Sequence, residues 1–220
     1  MRGFDIKQIR MRSFQISGLT AKWGIGGSRS PIWADNLIGY WDARTFPDGD
    51  LAEIPNTATM AGKAPDLTVS GATMASGTLQ FDDVDGGAST ATFLFPERFT
   101  VFWDIDWLGT IDAGAGVIHG LNLIMYNRKA TESLLTYIRN APGIIPNTSV
   151  GISTNGNVYA PDGSVTPFGG VVGTGASSAA LNIARKNTSF TQMGFRQLLI
   201  FNKELSQAEV NDVLRVMFPA

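Results

Sequence analysis

The sequence predicts an all-β protein, an antiparallel β-sandwich that ends in one short helix. Apolar and polar residues alternate with a period of two in many short segments, and the chain contains 25 Gly and 10 Pro, which are typical of the turns between strands. Hydrophobic residues make up 44% of the chain and charged residues 16%, which suits a turn-rich sheet protein with one sizeable core. We therefore expect a single sandwich domain over residues 35–220, preceded by an arm over residues 1–34.

The arm differs from the rest of the chain in charge. Residues 1–34 contain six basic residues and one acidic residue, whereas residues 35–220 contain 11 basic and 18 acidic residues. Apolar side chains are interleaved with the basic ones, a pattern that favours docking on a protein over contact with nucleic acid. The alternative is a solvated tail or a first strand. We expect these arm residues to bind a partner: Arg2, Phe4, Lys7, Arg10, Arg12, Phe14 and Trp23.

Composition and motifs disfavour several classes of function. The chain has no Cys, which excludes disulfides and thiolate metal sites, and its single histidine, His119, excludes His-based triads and paired-His zinc sites. No phosphate-binding loop of the form GxxxxGK[ST] is present. The arm has no apolar run long enough for a signal peptide or a membrane span. We therefore expect no nucleic-acid partner, no membrane contact and no obligatory cofactor.

The first half of the chain predicts several short strands around one acidic cluster. Residues 36–44, NLIGYWDAR, alternate as an opening strand, and residues 55–65 are predicted to form a loop. Further strand positions are Leu67, Val69, Leu79 and Phe81. Asp82, Asp83 and Asp85 then form a candidate calcium site, because hard cations bind several carboxylate oxygens. The alternative is a solvated turn in which Asp side chains cap their own backbone.

A long strand is predicted over residues 96–109, PERFTVFWDIDWLG. Its two-residue period places Phe102, Asp104 and Asp106 on one face. The opposite face, which we expect to be the core face, carries Trp103, Ile105 and Trp107. The two aspartates are therefore candidates for a paired-carboxylate site on a solvated or interface face.

The second half predicts a hairpin, a rim loop and a capped helix. Asn155-Gly156 is expected to supply the positive φ angles of a tight turn, and residues 168–180 to form a long loop, with Phe168 at a rim where ligands bind. In the last strand, strict alternation places Phe195, Gln197, Leu199 and Phe201 on one face and Arg196, Leu198 and Ile200 on the other. Ser206 and Glu209 predict a capping box. The expected buried face of the helix consists of Val210, Val213, Leu214 and Met217.

This ending resembles the concanavalin A-like lectin and glucanase superfamily, in its laminin G-like branch. The matching residues are Leu181, Ile183, Ala184, Phe195, Leu198, Ile200, Phe201, Asn202, Leu205, Ser206, Glu209 and Val210; Phe81, Asp82, Val84 and Asp85 match a second family phrase. The resemblance implies a jelly-roll sandwich. Leu199 stands where the family often has a charged outward residue, so we expect an exposed apolar side chain that a docking partner covers.

The resemblance also bears on catalysis. Laminarinase-type glucanases of this superfamily carry a Glu-x-Asp triplet on one strand, and Phe102 stands where their nucleophilic Glu belongs. A retaining glycosidase needs a nucleophile and an acid, and no third carboxylate follows Asp104 and Asp106. We expect the protein not to be an enzyme, and we regard Asp104, Asp106 and Phe168 as candidates for glycan binding.

The resulting expectation is a non-catalytic structural subunit of a large assembly, specifically a bacteriophage virion protein such as a capsid-decorating, tail or fibre protein. It would dock through its arm on other copies of itself or on other virion proteins. This expectation comes from the resemblance to small laminin G-like proteins with an N-terminal extension. The alternative is a lectin-like module that binds surface glycans, with calcium assisting.

Overall fold

The computed structural model describes residues 34–82, 84–107, 116–120, 123–128, 133–138, 141–170, 177–186, 189–190 and 192–219. Within these residues, two antiparallel sheets share one hydrophobic core, and one α-helix lies near the C-terminus. The predicted all-β sandwich with a short C-terminal helix is confirmed.

The first sheet has nine strands in the described part of the chain. Its path is β16 (Val165–Pro167), β15 (Asn157–Tyr159), β14 (Gly151–Ser153), β9 (Thr100–Trp107), β21 (Met193–Phe201), β6 (Thr78–Phe81), β5 (Ala72–Ala75) and β2 (Gly49–Asp50). The ninth strand, β1 (Leu37–Asp42), pairs with the second half of β21, whereas β6 pairs with its first half. The opening strand therefore lies beside the last strand of the described chain.

The second sheet has eight strands among the described residues. Its order is β13 (Ala141–Pro146), β12 (Ser133–Ile138), β11 (Leu123–Arg128), β10 (Gly116–Gly120), β18 (Asn182–Ile183), β7 (Gly87–Thr90), β4 (Leu67–Ser70) and β3 (Glu53–Ile54). Two short pairs complete the fold: β8 (Phe93–Phe95) with β17 (Ser177–Ala179), and β19 (Arg185–Lys186) with β20 (Ser189–Phe190). Short 3₁₀ helices span Ala34–Asn36 and Ala43–Thr45.

The core lies between the two sheets. Trp41, Leu198 and Trp103 occupy one row across β1, β21 and β9, and all three are at most 2% exposed. They belong to the same cluster as Ile118 and Leu134 of the second sheet. Burial of each such side chain contributes on the order of 2 kcal/mol, so this layer carries much of the stability of the fold.

A β-bulge in β21 breaks the strict alternation that the sequence suggests. The register between β21 and β9 shifts between Phe195 and Gln197. Phe195 packs in the core before the shift and Leu198 after it. Because a bulge sets two residues of one strand opposite one of the other, Arg196 and Gln197 both lie near Asp104 on the outer face. The prediction that Phe195 shares a face with Gln197 is wrong.

The helix α1 (Gln207–Met217) covers the outer face of the first sheet. Gln197 Nε2 on that face donates to the Met217 carbonyl over 3.2 Å, and the four residues predicted to be buried are buried. Leu199 lies in one row with Tyr40 and Phe102 and is only 2% exposed. The prediction that Leu199 faces solvent and awaits a partner is wrong, because this face is covered from within the chain.

The capping box that begins α1 is confirmed. The Glu209 N–H donates to Ser206 Oγ over 3.4 Å, and the Ser206 N–H donates to the Glu209 carboxylate over 2.9 Å. The hairpin at residues 154–156 is also present, but it differs in detail. Gly156 has a φ of 85°, whereas Asn155 instead accepts the Asn157 N–H with its side chain. A three-residue loop needs one positive φ, which Gly supplies at low cost.

Candidate functional site

Strand β9 has a neighbour on its β14 side for only part of its length. Residues Thr100 to Phe102 pair with β14, and the last rung is the Trp103 N–H, which donates to the Val150 carbonyl over 2.9 Å. Alternate residues of an antiparallel strand direct their N–H and C=O groups to the same edge. Ile105 therefore presents its backbone groups on the side of Trp103, where the described residues provide no further strand.

A cleft of about 220 Å³ lies at this open edge. We call it the β9 cleft; its walls are residues 103–105 of β9, residues 147–150 after β13, and Phe218 after α1. The wall formed by residues 147–150 is fixed in place. Trp103 Nε1 donates to the Ser149 carbonyl over 2.9 Å, and the Ser149 N–H donates to the Pro146 carbonyl over 3.0 Å. The main chain of this wall is thus held by hydrogen bonds on both sides of Ser149.

Asp104 connects the cleft to a charged cluster on the outer face. Arg196 Nη1 donates to Asp104 over 3.0 Å and to Asp106 over 2.9 Å, and Arg196 Nη2 makes a further short bond to Asp106. The Asp104 side chain is 13% exposed and lines the cleft, whereas the Asp106 side chain is 41% exposed and lies outside it. Burial lowers the pKa of Arg196, but hydrogen bonds to Asp106 and the charge of Asp104 outweigh this and raise it.

This geometry does not suit a glycosidase pair. Such a pair needs one carboxyl group that donates a proton and one free to attack the substrate. Here one guanidinium bridges Asp104 and Asp106, which leaves the three groups with one net negative charge. The arrangement can accept hydrogen bonds from a ligand but holds no separate acid and nucleophile.

A second network fixes the end of α1 beside the cleft. Arg44 binds Asp42 through Nε and Nη2, each over 2.8 Å, and its Nη2 also donates to Gln197 Oε1 over 2.7 Å. Both Arg44 and Gln197 donate to the Met217 carbonyl. Tyr40 OH donates to Asp42, and burial together with the Asp42 charge raises the pKa of Tyr40. The last turn of the helix is therefore held on the sheet.

The acidic cluster after β6 forms a capped turn. Asp82 Oδ1 accepts the backbone N–H groups of Val84, Asp85 and Gly86 over 3.0 to 3.1 Å. The bonds from Asp85 and Val84 lower the pKa of Asp82. This geometry matches the alternative of a self-capping turn; Asp83 lies outside the described residues. No three His, Cys, Asp or Glu side chains gather in the described residues, and calcium binding stays a prediction.

Phe168 does not lie at an exposed rim. Its side chain is 7% exposed, and its N–H donates to the Gly156 carbonyl over 2.6 Å. Its ring covers Gly143, where a Cβ would collide with it. The predicted loop is interrupted by β17, and residues 171–176 lie outside the described residues. The prediction of an accessible sugar-stacking ring at Phe168 is wrong because the ring belongs to the core.

The predicted docking residues of the arm lie outside the described residues: Arg2, Phe4, Lys7, Arg10, Arg12, Phe14 and Trp23. Arm docking therefore stays a prediction. The side chain of His119 is likewise not described, although its backbone belongs to β10. In the part of the chain that the structure describes, no helix is long and apolar enough to span a bilayer.

Sequence reasoning found Asp104 but missed most of the cleft. Asn147 and Thr148 are adjacent and lie about forty residues after Asp104, and Phe218 lies about seventy residues further along the chain. Asn147-Thr148 follows a Pro that closes a strand, which indicates a loop but not what the loop faces. Nothing in the local pattern around Phe218 indicates that the helix ends beside β9.

No family model and no curated protein matches this chain. Among solved structures, it is similar to Trypanosoma rangeli sialidase in complex with sialic acid, with a TM-score of 0.58 at 12% identity over 96% of this chain and 38% of that one. It is also similar to the binding domain of botulinum neurotoxin DC in complex with rat synaptotagmin II, with a TM-score of 0.58 at 15% identity over 85% of this chain and 53% of that one.

The chain thus spans about two fifths of the sialidase chain and about half of the neurotoxin chain. Identities this low show a shared β-sandwich fold and nothing finer. One of the two neighbours is an enzyme and the other is a binding domain, so the likeness leaves open whether this chain is catalytic.

Proposed function

We propose that this protein is a non-catalytic interaction protein that serves as a structural subunit of a larger assembly. The observation that carries the proposal is the bridging of Asp104 and Asp106 by Arg196. Asp104 and Asp106 share one strand face, as a glycosidase pair would, but Arg196 binds both of them, which is the arrangement of a structural ion-pair cluster. Because the helix of the same chain covers the outer face of the first sheet, the sandwich is a stable domain that can carry an interaction segment.

The finer proposal is a bacteriophage virion protein that docks through its arm on other copies of itself or on other virion proteins. It is supported by the resemblance to small laminin G-like proteins and by the charge contrast within the chain. Residues 1–34 contain six basic residues and one acidic residue, whereas residues 35–220 contain 11 basic and 18 acidic residues. Opposite charges steer such docking, and the apolar residues among them supply buried area.

Deletion of residues 1–34 tests this function. The full chain should form oligomers or enter particles in a salt-dependent way, and the truncated chain should not. Light scattering gives the mass in solution, and co-sedimentation with particles gives incorporation. Two full-length variants separate the contribution of charge from that of apolar burial. The double variant R10E/R12E should change the salt dependence of docking, whereas F14A should lower affinity at every salt concentration. Equal masses and equal incorporation of both chains would contradict arm docking.

Glycan binding is the second candidate function. The observation that favours it is the β9 cleft, which places a carboxylate, an open strand edge and an aromatic side chain together. The sialidase and neurotoxin structures hold sialic acid and a synaptotagmin respectively, and this similarity of fold makes ligand binding reasonable to test here. Calcium-dependent hits on a glycan array would favour the predicted calcium assistance, and a blank array would remove this candidate.

A further inference from the structure

We propose that the β9 cleft binds one neutral pyranose ring of a saccharide. The inference rests on the second candidate function, glycan binding, and gives it a site and a class of ligand. It relies on the hydrogen-bonding groups that line the cleft, on its size and on its charge.

The groups that line the cleft include both donors and acceptors. Arg196 binds Oδ1 of Asp104, which leaves Oδ2 without a hydrogen bond from the described residues. Ile105 contributes a backbone N–H and C=O at the open edge, and the side chains of Asn147 and Thr148 belong to residues that line the opposite wall. Each sugar hydroxyl donates one hydrogen bond and accepts others, so neighbouring hydroxyls can satisfy such a mixed set.

The size and shape of the cleft fit a single ring. Its volume of about 220 Å³ lies below the roughly 300–1,000 Å³ of sites that enclose drug-sized ligands. Phe218, which is half-buried, provides an apolar wall against which the C–H face of a pyranose can pack. A lining that combines polar residues with apolar and aromatic ones matches a ligand that is polar at its rim and apolar on its faces.

Charge selects a neutral ligand. The cluster of Asp104, Asp106 and Arg196 carries one net negative charge, and the negative end of the α1 dipole lies beside the cleft, so an anionic sugar is disfavoured. A cation is disfavoured as well, because the Arg196 guanidinium already lies 3.0 Å from Asp104 and would repel a second positive charge. The sialic acid seen in the sialidase neighbour should therefore bind poorly to this chain.

The test is an amide-shift titration of the full-length protein by nuclear magnetic resonance. The probes are the methyl pyranosides of glucose, galactose and mannose, with the methyl glycoside of sialic acid for comparison. At least one neutral probe should shift the amides of residues 103–105 and 147–150, and the sialoside should not. In D104N, affinity should fall about tenfold, as expected for loss of a charged hydrogen-bond acceptor.

The matched control is D106N, which removes a carboxylate from the same Arg196 outside the cleft and should retain binding. If D104N unfolds, N147A and F218A provide the same comparison. The inference is overturned if no neutral probe shifts these amides at tens of millimolar, if D104N and D106N weaken binding equally, or if the sialoside binds best. Shifts elsewhere that D104N leaves intact would preserve glycan binding but remove this site. None of these outcomes affects arm docking.

Discussion

Strands β1 and β9 lie on either side of β21. The far edge of β1 is hydrogen-bonded to a loop, whereas the far edge of β9 is paired along only part of its length. On the β1 edge, the Thr57 N–H donates to the Tyr40 carbonyl over 2.9 Å, and the Ala64 N–H donates to the Ile38 carbonyl over 2.8 Å. The Asn56 side chain adds two bonds on the same edge: it accepts the Tyr40 N–H and donates to the Ile38 carbonyl. On the β9 edge, the last hydrogen bond among the described residues is the one from the Trp103 N–H to the Val150 carbonyl, and Ile105, the next residue on that side, lines the cleft.

Asn56 shows how completely this fold can close an edge. Its side chain accepts the N–H groups of Tyr40 and Ala58 and donates to the carbonyls of Ile38 and Ala64. Every hydrogen-bonding position of the amide is used, and the residue is 2% exposed. A loop closes the edge of β1, whereas the 147–150 segment follows the edge of β9 only as far as the bond from the Trp103 N–H to the Val150 carbonyl. This contrast is the physical basis of the proposed saccharide site.

The largest expected effect comes from opening the closed edge. In N56A, four buried backbone groups lose a hydrogen bond, and of these the Ile38 carbonyl keeps the bond from the Ala64 N–H. The free energy of unfolding should therefore fall by about 4 kcal/mol. Chemical denaturation measures this as a lower midpoint at an unchanged slope. N211A, which removes an exposed amide from α1, is the control and should change stability by less than about 0.5 kcal/mol. A loss below about 1 kcal/mol in N56A would show that water replaces the amide.

A smaller effect is expected from loosening the open edge. W103F removes the indole donor from the buried Ser149 carbonyl and leaves a void, which should cost about 2 kcal/mol. Hydrogen exchange should quicken at residues 147–150 more than at residues 57–64. Equal changes in both segments would show that the variant weakens the whole sandwich rather than this wall of the cleft.

Releasing the end of the helix should have a still smaller effect on stability. R44Q loses the paired bonds to Asp42 and the bond to the Met217 carbonyl, and because Arg44 is partly exposed we expect a loss of about 1 kcal/mol. Its measurable signature is a change in the amide shifts near Phe218. R215Q, in an exposed pair on the same helix, is the matched control and should leave those shifts unchanged. Unchanged shifts in R44Q would contradict its proposed role in holding the helix end.

The least invasive comparison needs no substitution. Amide exchange at Ile105 should be faster than at Trp103 or Tyr40, because the last two donate to Val150 and Asn56 and the first points at the cleft. Addition of a saturating pyranoside should slow exchange at Ile105 selectively. Protection at Ile105 equal to that at Trp103 in the free protein would mean that the edge is closed.

The sequence predicts local structure here better than it predicts contacts between distant segments. Alternation around Trp41 and Trp103, the capping box at Ser206 and the turn at Gly156 are set by neighbouring residues, and all are present. The bulge at Arg196 reverses the faces of β21, and no side-chain pattern marks it. The sequence predicts the amphipathic helix and places the apolar Leu199 on an outer face. Only the fold shows that residues of the same chain bury Leu199.

The candidate site follows the same division. Asp104 and its face can be predicted from a two-residue period, and the same reasoning fails for Phe168, whose ring fills space above Gly143. The cleft depends on where β14 stops and where the helix ends relative to β9. The cleft therefore depends on how residues 103–105, residues 147–150 and Phe218 pack together. The local sequence of each predicts only a strand, a loop or a helix end.

The central place of β21 also shapes how the chain can be made. It is the last strand of the described chain, and it is the one to which β1, β6 and β9 all pair. During synthesis, Trp41 and Trp103 leave the ribosome long before the strand that joins their row exists. Pairing across such a separation is slow, and the exposed edges are prone to association in the meantime. A nascent chain stalled before Met193 therefore lacks the strand that joins β9 to β6 and β1, so the first sheet stays divided until β21 emerges.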